Sequence, residues 1–202
     1  MSPEPRKLAG IVLAAGSSER LGQPKQLVEW QGTTLVRRAA ELALDVCNAG
    51  ISVVVGASSS QVTAELEGLS VTIVYNNNWQ TGMGSSLKAG IQASSKDADG
   101  LLLMLCDQPG IESDDLIRLV NVWQNQPVNP AAAAYSGTVG VPAILPAAML
   151  PALDDISGDA GAGGLLRRYS DTSLVEMPSA AWDIDIATDL LWLRDNNENG
   201  NS

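Results

Sequence analysis

Small and basic residues follow the first apolar run of the chain in an order that suits phosphate binding. The run over residues 8–13 has the length of a buried strand, and residues 13–27 read LAAGSSERLGQPKQL. Small residues let the backbone approach a ligand closely and direct N–H groups at it. Those expected to contact a nucleotide are Ala14, Ala15, Gly16 and Ser17. Arg20 and Lys25 add positive charge that backbone dipoles alone cannot set against a triphosphate.

This segment differs from the two best-known phosphate loops. It contains neither the P-loop pattern G-x-x-x-x-G-K-[ST] nor the dinucleotide-binding pattern G-x-G-x-x-G. Taken alone, it also fits a Gly/Ser turn that joins a strand to a helix. Whether this segment binds phosphate or is only a turn therefore depends on which other residues lie close to it in the fold.

An acidic residue follows a later strand of the same apolar kind. Residues 100–105 read GLLLML and are followed by CDQP, so Asp107 comes directly after a predicted strand. Ligands gather at strand ends in open α/β sheets. Magnesium takes one or two carboxylates together with substrate phosphates and water, which makes Asp107 a candidate Mg²⁺ ligand. The same spacing allows Asp107 to cap the following turn.

A third segment, NNNWQTGMGSS at residues 76–86, opens a predicted helix after the third strand. Backbone donors at the positive end of a helix can bind an anion. We therefore expect an anion or a base edge to bind here, at Gly82 and Ser85, and a packing role for Trp79. Ser85 as a simple helix cap is the alternative.

Composition excludes several classes of function. The net charge of −11 disfavours nonspecific binding to nucleic acid or to an anionic membrane. No residue is histidine, so imidazole chemistry is excluded. Cys47 and Cys106 lack the spacing of a zinc site or of a disulfide framework and are expected to be buried thiols. There is no apolar stretch of membrane-spanning length and no signal-peptide pattern, which predicts a cytoplasmic protein.

Apolar runs alternate with helical periodicity, and this βαβ order predicts a mainly parallel sheet in one domain, residues 1–194, with a disordered tail over 195–202. The predicted strands are 8–13, 51–55, 71–75, 100–105, 131–135, 139–145 and 173–177. The predicted helices are 33–46, 59–67, 84–94, 113–125, 147–153, 160–169 and 187–194. Expected helix caps are Thr33 or Thr34 and Ser113. Expected solvated charges on the first helix are Arg37, Arg38 and Glu41.

The phosphate-loop segment resembles the signature LAAGxSxRMGxxKQL of the MobA-like nucleotidyltransferases, with Leu21 in place of methionine. CDQP resembles the MocA-like branch of that family, and so does the spacing of Asn, Trp, Gly-Met and Ser in residues 76–86. In that branch this loop contacts the nucleotide, so the resemblance implies nucleotide contacts for Gly82 and Ser85. WDIDIATDL at residues 182–190 resembles the family's DIDTPEDL, which makes Asp185 a second metal ligand beside Asp107. Asp185 or Thr188 can also cap the final helix. The resemblance implies a three-layer α/β/α fold with a mainly parallel, Rossmann-like sheet of the nucleotide-diphospho-sugar transferase type.

The implied activity is a Mg²⁺-dependent transfer of CMP from CTP to a phosphorylated acceptor, molybdopterin, with release of pyrophosphate. Arg20, Lys25 and Asp107 would carry the catalysis. Ala15 favours CTP, because cytidylyltransferases of this family have LAAG where guanylyltransferases have LAGG. A GTP-using guanylyltransferase and a non-catalytic nucleotide-binding protein are the alternatives.

The middle of the chain departs from the family pattern. Val141 stands where relatives have histidine, and Gly163 stands where they have arginine. Because these segments line the acceptor side in the family, the acceptor's identity stays open while the nucleotide half of the inference is unaffected. Arg167 and Arg168, one helical turn further on, are candidates to replace the lost charge. The alternative is a solvated helix end at which their charge complements the dipole. Contact with a molybdenum enzyme or its maturation factor is a further expectation.

Overall fold

The computed structural model of the chain describes residues 5–153, 164, 166, 169–190 and 193. Its main sheet has seven strands, and a separate short hairpin is formed by two more. In chain order the nine strands among the described residues are β1 (Leu8–Ala14), β2 (Glu29–Trp30), β3 (Thr33–Thr34), β4 (Ile51–Val55), β5 (Thr72–Tyr75), β6 (Gly100–Leu105), β7 (Ala131–Tyr135), β8 (Thr138–Pro146) and β9 (Ser173–Glu176).

The strand order in the main sheet is β5-β4-β1-β6-β8-β7-β9. The first four of these are mutually parallel, and β8 runs antiparallel to both of its neighbours. Strands β1 and β6 are direct neighbours in a register that pairs Leu13 with Leu105. The segments that follow these two strands therefore leave the sheet side by side, at the same edge.

Helices cover both faces of the sheet. They are α1 (Leu35–Val46), α2 (Ser59–Glu65), α3 (Met83–Ala93) and α4 (Ser113–Asn125). Alternate residues of β1 point to opposite faces, so Val12 packs in the cluster that includes α1, α2 and α4, and Ile11 packs in the cluster that includes α3. The predicted three-layer α/β/α architecture in one domain is confirmed.

Every predicted strand is present with each end shifted by at most one residue. The hairpin β2-β3 was not predicted, and it shortens the first helix at its start. Its turn places Gln31 and Gly32 at φ 52° and 81°, the left-handed conformation that two-residue hairpin turns require. Residues 147–153 form a 3₁₀ helix that contains Pro151. Residues 187–190 are helical, whereas most of 160–169 and all of 195–202 lie outside the described residues.

Two of the predicted helix caps are wrong. Thr34 precedes α1 but makes no capping bond, and its hydroxyl bonds Glu65 instead. Helix α4 is capped by Glu112 rather than by Ser113, through a capping box with Asp115. Asp114 and Asp115 lie in the first turn of α4, where negative charge complements the helix dipole.

The arginines of α1 are not simply solvated, contrary to the prediction. Arg37 pairs with Glu41 at 3.0 Å and also donates to the backbone carbonyl of Glu65, the last residue of α2. The Arg38 side chain is mostly buried and donates to the carbonyls of Pro109 and Ile111. Arg38 therefore holds the chain that follows β6.

Among the residues that the structure describes, none of the helices has the length and apolar character needed to cross a membrane.

Gly100 gives a direct test of how α4 packs on β6. A Cβ at this buried position would lie 2.9 Å from two ring atoms of Trp123, which is fully buried. We expect Gly100→Ala to lower the free energy of unfolding by about 1–3 kcal/mol because the ring must move, as measured by urea denaturation.

The control is the double variant Gly100→Ala with Trp123→Leu. Leucine makes room for the new methyl group, so the double variant should lose less stability than the sum of the two single losses. Strictly additive losses would show that Gly100 and Trp123 do not restrict each other.

Candidate active site

A cleft of about 490 Å³ opens at the edge where β1 and β6 end. It lies between the first loop (residues 15–24), the start of α3 and the end of β6. The predicted site residues that line it are Ala14, Ala15, Gly16, Ser17, Arg20, Lys25, Gly82 and Asp107. Three segments that are far apart in the sequence are thus brought to one cleft, as the strand-end argument requires.

The first loop is fixed from beneath by a glutamine that the sequence analysis missed. The Gln26 side chain is 1% exposed and donates to the carbonyls of Ala14 and Gly16 at 3.0 and 2.8 Å. Ser18 takes the left-handed conformation at φ 57°, and its hydroxyl accepts the Lys25 N–H at 3.0 Å. The sequence signal was the glutamine beside Lys25, since a polar side chain between strand and helix can satisfy loop carbonyls.

Cations and carboxylates meet at one side of the cleft. Lys25 Nζ lies 2.6 Å from Asp107 Oδ2 and 3.7 Å from Asp185 Oδ1. Arg20 Nη2 lies 2.7 Å from Asp185 Oδ2. The Lys25 and Asp107 side chains are 19% and 12% exposed, whereas that of Arg20 is 74% exposed. The structure therefore joins the four charged residues singled out from sequence into one network.

Lys25 remains charged in this setting. Burial by itself lowers the pKa of Lys25, but the neighbouring Asp107 and Asp185 outweigh burial and raise that pKa above its ordinary value of 10.5. The lysine is consequently protonated throughout the neutral range, as a partner for carboxylates or phosphates must be.

The segment that carries Asp185 is attached to the end of β6 by backbone and amide hydrogen bonds. The Ile184 N–H donates to the Asp107 carbonyl at 3.0 Å. Gln108 is buried, and its amide donates to the carbonyls of Val141 and Ala180 at 3.1 and 2.7 Å. These bonds explain how a residue near the end of the chain reaches Asp107.

Asp185 is free of the capping role that the sequence also allowed. Residues 187–190 form the start of the last helix, and the Asp189 carboxylate accepts the N–H groups of Asp185 and Ile186, each at 2.8 Å. Asp189, rather than Asp185 or Thr188, is thus the capping residue. The Asp185 carboxylate faces the cations instead.

Asp183 is a third carboxylate of the site, and it was missed. Burial, then Asp107, and then Asp185 raise the pKa of Asp183 above its ordinary value. The D-I-D spacing already allowed this, because side chains two residues apart lie on the same side wherever a chain is extended.

The residues present fit a magnesium ion that is completed by other ligands. No three of the described His, Cys, Asp or Glu side chains are arranged to hold a metal by themselves. Asp107 Oδ1, however, is buried and has no hydrogen-bond partner, while its Oδ2 binds Lys25. One or two carboxylates suffice for Mg²⁺ when substrate phosphates and water complete its shell. The cap of the following turn, the alternative for Asp107, is not among its contacts.

The loop before α3 is organised by Asn76. Its buried amide donates to the hydroxyls of Ser85 and Ser86 at 2.8 and 2.9 Å. The Ser85 hydroxyl is also within hydrogen-bond distance of the carbonyls of Asn78 and Gly82, and Ser86, not Ser85, lines the cleft. Nucleotide contact by Ser85 stays a prediction.

Helix α3 begins directly after Gly82, whose φ of 108° favours glycine. Ser85 is therefore not its cap. Trp79 packs in the α3 side of the core, as expected, and also forms part of the cleft wall.

The cysteines carry no covalent chemistry in this cleft. Cys106 is buried, and burial raises the pKa of its thiol, so the thiolate is not populated at neutral pH. Cys47 is half-buried, rather than fully buried as predicted, and burial raises the pKa of its thiol to about 12.

The fold and the cleft define a class of nucleotide-transferring α/β proteins. A solved structure from Mycobacterium sp. strain JC1, a homologue of Mycobacterium tuberculosis Rv0371c, superposes with a TM-score of 0.80 at 27% identity, covering 95% of this chain and 97% of the other. The architecture is that of the nucleotide-diphospho-sugar transferases.

The sequence profile of the MobA-like NTP transferase domain matches residues 10–173, and the chain belongs to this family. It is a nucleotidyltransferase of the MobA-like type.

Two relatives show how varied the names within this family are. Nicotine blue oxidoreductase from Paenarthrobacter nicotinovorans is 36% identical over 170 residues, which are 80% of this chain and 82% of that protein. A probable molybdenum cofactor guanylyltransferase from Bacillus cytotoxicus is 36% identical over 110 residues, 54% of this chain and 53% of that protein.

Gln26 provides a test of the loop clamp. Gln26→Leu keeps the volume but leaves the carbonyls of Ala14 and Gly16 without a donor, which should cost about 1–3 kcal/mol of unfolding free energy. Nucleotide affinity should fall as well, because the first loop is no longer fixed. Gln23→Leu, at an exposed position of the same loop, is the matched control and should change neither quantity. Equal behaviour of the two variants would contradict the clamp.

Proposed function

We propose that the chain transfers CMP from CTP to a phosphorylated acceptor, molybdopterin, and releases pyrophosphate. The observation that carries this proposal is the network of Lys25, Asp107, Asp185 and Arg20 beside a cleft large enough for a nucleotide, which is lined by all of them except Asp185. Phosphoryl-group transfer needs cationic side chains that bind phosphate oxygens and carboxylates that bind a divalent cation. The network contains both kinds of group.

The two cations would have different roles. Lys25 is mostly buried and held by Asp107, so it offers a fixed positive charge to the triphosphate. Arg20 is largely exposed, and an exposed ion pair such as its pair with Asp185 stabilises by only about 0–1 kcal/mol. Arg20 can therefore leave Asp185 at little cost and reach the phosphates once the nucleotide is bound.

Asp107 and Asp185 would hold Mg²⁺, with Asp107 Oδ1 as the buried oxygen that awaits a ligand. When bound, the metal would neutralise negative charge on the substrate phosphates. The acceptor phosphate would attack the α-phosphorus in line, and the bond between the α-phosphorus and the bridging oxygen would break as pyrophosphate leaves. Positioning and charge stabilisation supply the catalysis, and no covalent enzyme intermediate is needed.

The choice of base depends on the first loop. Ala15 lines the cleft and is the residue that distinguishes LAAG from LAGG, which supports CTP. GTP is the second candidate, because relatives named molybdenum cofactor guanylyltransferase match over half of this chain. Measuring both nucleotides side by side decides between them.

The acceptor half cannot use the residues that are typical of the family. Val141 is buried, and its carbonyl accepts from Gln108, so this position supports the loop and presents no charge. Gly163, Arg167 and Arg168 lie outside the described residues. Molybdopterin is proposed on family membership and on the molybdenum cofactor relatives.

The test is to incubate the protein with CTP or GTP, Mg²⁺ and molybdopterin and to measure pyrophosphate. Release with one nucleotide and dependence on the acceptor are expected. Binding of CTP without release, under any combination, would contradict the transferase proposal and leave a nucleotide-binding protein.

Asp107→Ala should reduce pyrophosphate release by about a thousandfold or more, because it removes a metal ligand and leaves Lys25 without its closest partner. The protein should remain folded by circular dichroism. Asp114→Ala, an exposed acidic residue of α4 outside the cleft, is the control and should retain full activity. Retained activity in Asp107→Ala would show that the metal site is elsewhere.

A further inference from the structure

The turn after β4 lies between two walls of the nucleotide cleft. Strand β4 pairs with β1 on one side and with β5 on the other, so the segments that follow β1 and β5 leave the sheet on either side of Gly56. The first segment carries Ala15 and the second carries Trp79, and both of these residues line the cleft. We propose that Gly56 is a positioning residue that sets the width of the cleft and thereby selects CTP over GTP. The inference rests on the proposed function and adds to it the origin of base selection.

Backbone hydrogen bonds attach this turn to both walls. The Ala57 N–H donates to the Ala15 carbonyl at 3.0 Å, and the Asn76 N–H donates to the Val55 carbonyl at 2.8 Å. The two bonds flank Gly56 in the chain and continue the pairing of β4 beyond the ends of the strands. Gly56 therefore cannot retreat from the walls without breaking one of these bonds.

Both walls approach Gly56 so closely that only glycine fits between them. A Cβ at this position would stand 2.7 Å from Trp79 Cβ, 2.8 Å from Trp79 Cγ and 2.8 Å from the Ala15 carbonyl oxygen. Carbon atoms in contact are normally about 3.5–4.0 Å apart. Rotation of a side chain cannot relieve these contacts, because the Ala15 oxygen belongs to the backbone and the backbone also fixes the position of Trp79 Cβ. A side chain at residue 56 would consequently push the walls apart.

The separation of the walls bears on the base because of what each wall carries. Ala15 is the residue on which the proposed choice of CTP depends. The wall across the cleft is organised by Asn76, whose amide donates to the hydroxyl of Ser86, and Ser86 lines the cleft. Gly56 thus holds Ala15 at a set distance from the wall that faces it. A narrow cleft admits the single ring of cytosine, whereas the two fused rings of guanine need more room.

The test is Gly56→Ala in the full chain, with the Kd of CTP and of GTP measured by calorimetric titration with Mg²⁺ and without acceptor. Wild type should bind CTP more tightly than GTP. Because the added methyl group separates the walls, Gly56→Ala should weaken CTP binding by about tenfold and GTP binding less, so that the preference for CTP falls by about fivefold or more. A loss of folding stability alone leaves the ratio of the two Kd values unchanged while the protein remains folded.

Gly100→Ala is the matched control. It makes the same change at another close contact, between β6 and Trp123 of α4, and it lies at the end of β6 that is remote from the cleft. This variant should lose stability and still bind both nucleotides as wild type does. An equal loss of affinity for CTP and GTP in Gly56→Ala, or the same altered preference in Gly100→Ala, would overturn the inference.

A measurement on wild type keeps the inference testable if Gly56→Ala does not fold. CTP should shift the amide NMR resonances of Gly56 and Ala57, because these residues are bonded to the walls that hold the base. Inorganic triphosphate, which has no base, should shift them less. Resonances that stay unchanged in saturating CTP, or that shift equally with inorganic triphosphate, would contradict the role of Gly56.

The outcomes separate this inference from the proposed function. If the preference for CTP falls in Gly56→Ala but no pyrophosphate is released under any combination, Gly56 keeps its role and the transferase proposal fails. If pyrophosphate is released from CTP and the preference is unchanged in Gly56→Ala, the transferase stands and the role of Gly56 is wrong. A wild type that prefers GTP would contradict both the choice of CTP and the inference.

Discussion

The ion pair between Lys25 and Asp107 is the interaction on which the site depends. Lys25 Nζ lies 2.6 Å from Asp107 Oδ2, and both side chains are mostly buried. Removing either partner would therefore leave an unpaired buried charge, which is destabilising. The pair joins the loop after β1 to the end of β6, which the β1-β6 register has already brought side by side. The backbone bond from Ile184 to Asp107 then brings in the last acidic segment, and Arg20 closes the network on Asp185.

The same ion pairs explain why nucleotide and metal would bind this site together. In the structure the cations and carboxylates neutralise one another, and this keeps a partly buried cleft stable without ligands. A triphosphate with a divalent cation offers each of them a new partner of the right charge: phosphate oxygens for Lys25 and Arg20, and the metal for Asp107 and Asp185. Neither ligand alone satisfies all four groups, because either one leaves part of the network with unpaired charge.

The local sequence predicted the strands of the sheet and the functional residues at their ends. Buried strands can be recognised from a short apolar run, and the residues that follow them are then identified by position. Asp107 and Lys25 belong to this group. Gln26, Arg38 and Asp183 were missed or misread because their roles depend on tertiary partners: loop carbonyls for Gln26, the chain after β6 for Arg38, and Asp107 for Asp183. The cap proposed at Thr34 failed because the Thr34 hydroxyl donates to Glu65 instead, and the cap proposed at Ser113 failed because Glu112 caps the helix.

The central claim is that nucleotide and metal together replace the ion pair between Lys25 and Asp107, with phosphate oxygens binding Lys25 and the metal binding Asp107. The most direct test is to measure Mn²⁺ affinity with and without CTP or GTP. The measured affinity is corrected for the Mn²⁺ that binds nucleotide in solution. Wild type should then bind Mn²⁺ at least about tenfold more tightly in the presence of the nucleotide that it uses, because Lys25 has phosphate partners in that complex. In the absence of nucleotide, Lys25→Met should bind Mn²⁺ more tightly than wild type does, and adding nucleotide should no longer change its Mn²⁺ affinity. The control is Lys7→Met, at an exposed position, which should behave as wild type. Equal Mn²⁺ affinity of wild type with and without either nucleotide would contradict the account.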